Sequence, residues 1–319
     1  MSTISLPGTP TRRSMWTELR SSFWRDAQGY QRMAYVVGAA LILVGLAHAG
    51  IWAVVGGTAE GPLSWRKPMT FGLSFGLTTL TLGWIGGHLR VRPWAGWIVS
   101  SVICVSTTLE VLWVTVQRAR GVPSHFNNTT SLDAGLFAAG GVTIGFTIFA
   151  ILVMTIAFFT VGTAPAAMTW AIRGGLVALL AAQAIGVWMI VYGGSLLGAD
   201  ASPLTQSMTT YGAAGSMKFA HAVPMHAIQV LPGLAWLLSF SGMAVRRQLL
   251  LVGVALAGYA GLFAVALGRT AAGLEPFDLV SASTLLYLIP AVLLAASAAA
   301  AATGLFDREA RPPRATPEP

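Results

Sequence analysis

The chain has 319 residues, of which 55% are hydrophobic and only 9% are charged, whereas soluble globular domains carry roughly 25% charged residues. A mean hydropathy of +0.70 and 11 tryptophans exclude a soluble domain with an ordinary surface, and the high apolar content excludes disorder. Cys104 is the only cysteine, which excludes a disulfide scaffold. The composition predicts an all-α integral membrane protein.

The net charge of +8 is explained by the lipid environment rather than by a nucleic-acid partner. Excess Lys and Arg on the cytoplasmic side orient membrane helices. Outside the lipid, no basic segment alternates with aromatic residues as a nucleic-acid surface would. The partners predicted from charge and composition are therefore the lipid bilayer and a small amphiphilic substrate, with no nucleic acid.

Residues 1–34 form a polar, basic segment before the first apolar run. Trp16, Leu19, Phe23 and Tyr30 recur in it at helical spacing, with arginines between them. This pattern is typical of a short amphipathic helix that lies on the membrane surface. We expect the segment to be cytoplasmic.

Eight apolar runs follow, each close to the 20 residues or so that cross the hydrocarbon core. They cover residues 35–57, 69–89, 95–117, 135–161, 171–196, 219–241, 248–268 and 279–304. The sequence thus predicts eight transmembrane helices, grouped as a first four-helix unit over 35–161 and a second over 171–304. Residues 305–319 are predicted to be a disordered cytoplasmic tail.

The basic residues predict the orientation. If the N-terminus is cytoplasmic, 13 of the 19 Lys and Arg residues fall inside and 6 outside. This bias favours a protein of the cell (cytoplasmic) membrane with both termini inside. The six outer cations depart from the rule and call for a functional reason.

The two units show a faint internal repeat. Lys67 precedes the second apolar run and Lys218 the sixth, while Gln117-Arg118 closes the third run and Gly268-Arg269 follows the seventh. Four helices per unit preserve direction, so a repeat would be parallel, with a pseudo-two-fold axis along the membrane normal. Apolar helices also align with one another by composition alone, and both interpretations stay open.

Ionisable groups concentrate in the outer halves of the runs, where they indicate a functional site. Glu110, His48 and His226 lie about 10–13 Å below the outer ends of three different runs, counted at about 1.5 Å per residue. Two histidines and a carboxylate can bind a transition metal and leave positions open for substrate; a haem held by histidines is the other interpretation. We expect the three side chains to converge in one outward-facing pocket.

The candidate site residues fall into three groups. Acid–base or catalytic roles are predicted for Glu110, His125 and Gln229. Metal ligation is predicted for His48, His221 and His226. Substrate binding is predicted for the cationic and amide side chains Arg66, Lys67, Gln117, Arg118, Arg120, Asn127 and Lys218, which suit a carboxylate or phosphate.

Two motifs carry a resemblance. The first is Gln117-x-x-Arg120-Gly121-x-x-Ser124-His125-Phe126-Asn127, and the second is His221-x4-His226-x-x-Gln229-x-Leu231-Pro232. Together they resemble an uncharacterised family of bacterial multi-pass membrane proteins, over most of the second to sixth runs. The resemblance implies which residues matter and leaves their activity open.

Three functions are compatible with these features. The first is a metal- or haem-dependent membrane enzyme that acts on a lipid-soluble or anionic amphiphilic substrate. The second is a transporter or proton-coupled carrier with Glu110 and the histidines as its relay. The third is a non-catalytic membrane subunit or lipid-binding scaffold.

Overall fold

The computed structural model describes residues 15–59, 61–195, 217–276 and 282–309. Over these residues the chain is 84% helical and contains no strand, which confirms the predicted all-α class. The first 14 residues of the predicted N-terminal segment, and the predicted tail beyond residue 309, lie outside the described residues.

The helices are as follows, in chain order. They are α1 (Met15–Arg20), a π-helical turn (Ser21–Arg25), α2 (Gly29–Val55), α3 (Arg66–Gly86), α4 (Pro93–Ala119), α5 (Ser131–Val161), α6 (Ala166–Ser195), α7 (Met217–Phe240), α8 (Val245–Ala271), a 3₁₀ turn (Ala282–Tyr287) and α9 (Leu288–Glu309). Within α1 and the π-helical turn, Trp16 and Trp24 are largely exposed.

Among the described residues, seven helices are long and apolar enough to cross a membrane, namely α2 and α4 to α9, the last together with its 3₁₀ turn. The remaining long helix, α3, begins with Arg66 and Lys67 and is rich in Gly, Ser and Thr. Its lower hydropathy is the reason why seven of the eight predicted spans, and not all eight, are found by length and composition.

The glycines of α2 and α3 bring the two backbones into direct contact. A Cβ atom at Gly72 would lie 2.7 Å from the Cα of Gly45, and one at Gly76 would lie 2.6 Å from the carbonyl oxygen of Gly38. Small residues permit this close approach between helices in lipid. The pair α2–α3 forms the tightest part of the first four-helix group.

Four contacts between the first four long helices recur between the last four, which also have a contact of their own between α7 and α9. Within the first group α2 contacts α3 and α4, α3 contacts α4, and α4 contacts α5; the pairs α6–α7, α6–α8, α7–α8 and α8–α9 repeat this pattern. The two groups meet through α5–α6 and α3–α7. We call the end of the bundle where α2 begins the proximal face and the end where α2 finishes the distal face.

Between α3 and α7, two side-chain contacts join positions of equal sequence separation. The Ser74 hydroxyl donates to the Met225 sulfur at 3.7 Å, and the Gln229 amide lies 3.4 Å from the Thr78 hydroxyl; both pairs are 151 residues apart. Lys67 and Lys218, near the starts of the same helices, have this separation too.

The C-termini of α4 and α8 are also built alike. Each is followed by a glycine with φ of +71°, Gly121 and Gly273. The residue after each glycine donates its backbone N–H to the carbonyl five positions earlier, at 3.1 Å to Gln117 and 2.9 Å to Arg269. This is the Schellman type of helix end, in which a left-handed glycine reverses the chain.

Candidate functional site

Six side chains form a cluster at the distal face, which we call the distal cluster. Its members are Trp65, Lys67, Glu110, Trp113, Arg118 and His125. They come from the residue before α3, from the start of α3, from the second half of α4 and from the loop between α4 and α5.

Glu110 is the most deeply buried charged residue of the distal cluster. It is 2% exposed, and its carboxylate accepts a hydrogen bond of 2.8 Å from the Thr143 hydroxyl of α5. The ammonium group of Lys67 interacts with it electrostatically. An ionisable side chain in a membrane helix is costly and generally has a functional reason.

Aromatic rings enclose His125. Its ring centroid lies 4.8 Å from Trp113, 5.7 Å from Phe71 and 6.0 Å from Phe137, and its Nδ1 is 3.1 Å from the Ser124 hydroxyl. The imidazole therefore sits in an apolar box, and one ring nitrogen is engaged by a neighbouring hydroxyl.

The charges around His125 come from both four-helix groups. Burial lowers the pKa of His125 well below its usual value, and the nearby cations of Lys67 and Lys218 lower it further. The imidazole is therefore neutral near pH 7. Because Lys67 begins α3 and Lys218 begins α7, cations from both four-helix groups act on His125.

Trp65 connects the distal cluster to α2. The guanidinium carbon of Arg118 lies 4.2 Å from the Trp65 ring centroid, within cation–π range. The ring of His48 stacks on Trp65 at 5.9 Å. His48 Nδ1 donates to the Val44 carbonyl at 2.8 Å, which leaves only Nε2 for another partner.

Several buried donors of the distal cluster have no acceptor. Trp65 Nε1, Trp113 Nε1 and Arg118 Nε are buried and make no hydrogen bond within the described part of the chain. The ammonium group of Lys67, which is partly buried, makes no hydrogen bond or ion pair there either. Since buried polar groups are nearly always paired, the three unpaired buried donors indicate a place for a ligand that brings acceptors.

Three residues predicted to bind substrate are engaged within the chain itself. Gln117 and Arg120 donate to Asp133 of α5, at 2.9 Å and 2.6 Å. Asn127 donates to the Pro123 carbonyl at 3.1 Å, and its own side-chain oxygen accepts from Thr129. These hydrogen bonds fix the α4–α5 loop, which contains His125, against α5.

Arg66 and Lys218, also predicted to bind substrate, are partly buried at the beginnings of α3 and α7. Gln229 lies further along α7, where its amide contacts Thr78. With the amide turned, its nitrogen donates to the carbonyls of His226 and Met225 at 3.2 Å. Gln229 therefore stabilises the α3–α7 contact.

The predicted metal ligands do not assemble. No three His, Cys, Asp or Glu side chains among the described residues are grouped so that they could hold a metal ion. His221 Nδ1 donates to the Ala182 carbonyl at 2.7 Å and packs between α6 and α7, whereas His48 packs on Trp65 in the first group. The described residues therefore give no support to the expectation that His48, Glu110 and His226 form one ligand set.

Sequence reasoning missed the aromatic part of the site. Trp65, Phe71 and Phe137 were not among the candidates, although Trp65 directly precedes Arg66-Lys67. A tryptophan beside cationic residues at the end of an apolar run is typical of the membrane interface, and this signal could have drawn attention to it.

Comparison of the chain with protein-family models, with curated proteins and with solved structures finds no match. The site is therefore interpreted from its own geometry.

Proposed function

We propose that the chain crosses the membrane eight times, as two parallel four-helix halves related by a pseudo-two-fold axis along the membrane normal. The α3–α7 contacts support this, because Ser74–Met225 and Thr78–Gln229 share one sequence separation of 151 residues. At a two-fold axis, equivalent positions meet each other. The like ends of α4 and α8 add support, and α3 is the eighth span.

We further propose that both termini are cytoplasmic and that the distal face is outside the cell membrane. The 13-to-6 division of the basic residues supports this orientation. The test is labelling of single cysteines by an impermeant reagent, with Asn128→Cys and Val245→Cys each placed in a Cys104→Ala background. We expect residue 128 to react from outside intact cells and residue 245 to react only after permeabilisation; the reverse pattern would invert the orientation.

The function proposed for the distal cluster is to bind the head of a membrane-soluble, anionic amphiphile. One observation carries this: three buried donors of the cluster, Trp65 Nε1, Trp113 Nε1 and Arg118 Nε, have no acceptor among the described residues. The cation of Lys67 belongs to the same cluster. A carboxylate or phosphate head would accept from such donors. The ring faces of Phe71 and His125 offer an apolar surface for the adjoining body of the ligand.

Acid–base chemistry on the bound ligand is within reach of Glu110, the one carboxylate of the cluster, and of the neutral imidazole of His125. Glu110 is placed beside a cation, Lys67, which stabilises the carboxylate that remains after a proton has been released. The proposal does not rest on a metal ion, since no three His, Cys, Asp or Glu side chains among the described residues are grouped.

The test measures binding of decyl phosphate to the protein in lipid nanodiscs. The readout is the change in tryptophan fluorescence. Lys67→Met should weaken binding by about 10- to 150-fold, since a hydrogen bond to a charged group contributes about 1.5–3 kcal/mol. Arg90→Met is the matched control, because Arg90 is exposed at the proximal face. Decyl maltoside, which has no charge, should bind both variants and the unmodified protein alike. Undiminished decyl phosphate binding by Lys67→Met would refute the proposal.

A carrier is the second candidate, and one observation favours it. His125 interacts with Lys67 from one half and with Lys218 from the other, so the cluster lies at the seam between the halves. Carriers built from repeats bind their substrate at such a seam. Flux of radiolabelled decyl phosphate across sealed vesicles, lost in Lys67→Met, would favour the carrier; binding without flux would favour an enzyme or a binding subunit.

A further inference from the structure

A cavity lies near the proximal face, well away from the distal cluster. It is enclosed by α2, α3, α4 and α5 and has an empty volume of about 570 Å³ including its opening. Its wall is apolar and consists largely of small residues; among them are Ala34, Gly83, Gly86, Gly96, Ser100 and Ala157. We call this cavity the chamber.

A second cavity adjoins the chamber. It has an empty volume of about 980 Å³ including its opening, and its wall is more polar, with Ser22, Asp26, Gln28, Gln31 and His88. We call it the vestibule.

Tyr30, Leu89 and Val91 line both cavities, so the vestibule and the chamber adjoin at these three residues. The π-helical turn and the residues after it form one wall of the vestibule, and the end of α3 forms another. A polar cavity directly beside an apolar one provides the two surfaces that an amphiphile needs.

The chamber has no counterpart in the contacts of the second half. There, α7 packs on α9, whereas α3 and α5, which occupy the same places in the first half, make at most marginal contact. The chamber fills this gap between α3 and α5, since Thr79 and Leu82 of α3 and Met154 and Ala157 of α5 face into it. In the first half, a ligand can therefore occupy the position that is filled by contacting helices in the second half.

The charges that line the vestibule indicate which kind of head group it can bind. Asp26 is the only acidic residue in its wall, and its carboxylate accepts a hydrogen bond from the Ser21 hydroxyl. Burial lowers the pKa of His88, and no Lys or Arg lines the vestibule among the described residues. A phosphate or carboxylate head would meet a negative charge there without a compensating cation, whereas hydroxyl groups would find both donors and acceptors.

We propose that the chamber and the vestibule form a second site that binds an uncharged, hydroxyl-bearing glycerolipid, with one hydrocarbon chain in the chamber and the hydroxyl head in the vestibule. This site is independent of the distal cluster in position and in ligand charge. It assigns the first half two different ligands, one at each face.

The test uses photoreactive lipids with the protein in nanodiscs. The probes are a diacylglycerol and a phosphatidylglycerol that carry the same diazirine near the end of one chain. Cross-linked residues are located by mass spectrometry. We expect the diacylglycerol to label residues 79–103 and 153–157, with loss of labelling in excess unlabelled diacylglycerol. Labelling by phosphatidylglycerol should be at least about tenfold weaker, which corresponds to about 1.4 kcal/mol.

Ser100→Phe should fill the chamber and abolish this labelling. Ser100 makes no side-chain hydrogen bond in the described structure, so the change removes no contact. The matched control is Val105→Phe, which adds a similar side chain on the same helix at a position 58% exposed and should leave labelling unchanged. Gel filtration of each variant verifies folding. If a variant does not fold, the labelled positions in the unmodified protein still test the proposal.

Labels confined to lipid-facing residues, or labelling of folded Ser100→Phe equal to that of the unmodified protein, would overturn the chamber assignment. Equal labelling by the two lipids would overturn the assignment of the uncharged head.

Discussion

Alanine at Gly72 should destabilise the protein because it forces α2 and α3 apart. A Cβ atom at this position would lie 2.7 Å from both Cα and N of Gly45 and 2.9 Å from the Leu41 carbonyl oxygen. All three neighbours are backbone atoms, which cannot move aside as a flexible side chain can. Ordinary contact with a Cβ begins near 3.4 Å, so the two helices must separate by about 0.7 Å at this point, since packed interiors leave little slack.

The expected cost follows from this displacement. Overpacking a close contact costs about 1–3 kcal/mol, and alanine recovers up to about 1 kcal/mol through its better helix propensity. We expect a net loss of about 1–2 kcal/mol in the free energy of unfolding. Gly45 and Gly76 face the same interface, and alanine there should act in the same direction.

The assay is the temperature at which the detergent-solubilised protein loses its monodisperse gel-filtration peak. The matched control is Gly141→Ala on α5, where a Cβ atom would meet nothing within 4 Å. We expect Gly141→Ala to leave the Tm unchanged or to raise it, and Gly72→Ala to lower it by several degrees. Equal Tm values for the two variants would show that α2 and α3 do not pack backbone to backbone.

Three further outcomes are expected. Thr143→Val removes the donor to Glu110 and should cost about 1.5–3 kcal/mol of stability, the range for hydrogen bonds to charged groups; the Tm assay above measures it, and an unchanged Tm would contradict the contact. The lowered pKa of His125 means that the folded state holds fewer protons than the unfolded state below about pH 6.5. The contribution of His125 to stability is thus complete above that pH and falls as the pH is lowered. His125→Asn should therefore flatten the profile of Tm between pH 7.5 and 5. An unaltered profile would contradict the burial of His125 among aromatic rings. A double variant with cysteines at Ser74 and Met225 should form a disulfide under mild oxidation, detected by mass spectrometry of the linked peptides, whereas cysteines at Ser74 and Thr143 should not.

Composition and hydropathy were sufficient to predict the fold class, because a membrane helix must satisfy its own backbone and expose apolar side chains. The runs predicted at 95–117 and 135–161 correspond to α4, which is two residues longer at each end, and to α5, which starts four residues earlier and ends at the same residue. The first run was predicted to start at residue 35, whereas α2 starts at Gly29. The polar residues of its first turn lie outside any apolar window, which is why hydropathy alone cannot locate that helix end.

The sequence allows the depth of a residue in the membrane to be predicted, but not which helices lie next to one another. Counting residues predicted that Glu110 lies within the membrane near one face, and its side chain is 2% exposed; Lys67 and His125 were predicted for the same site. Depth alone also put His48 and His226 at the same level, yet they do not join Glu110 in a metal-binding group. Which helices are neighbours depends on packing between distant segments, and a single sequence carries no record of it.

The equal spacing of the α3–α7 contacts has a consequence for the history of the chain. Under the proposed duplication, the ancestor was a four-helix protein that paired with an identical copy, and every residue of its site occurred twice. Once both copies belonged to one chain, a substitution could occur in one copy and not in the other. Glu110 has no acidic counterpart in α8, and the opening between α3 and α5 has none between α7 and α9. Under this proposal, joining the copies allowed the two halves to acquire different buried charges and different openings.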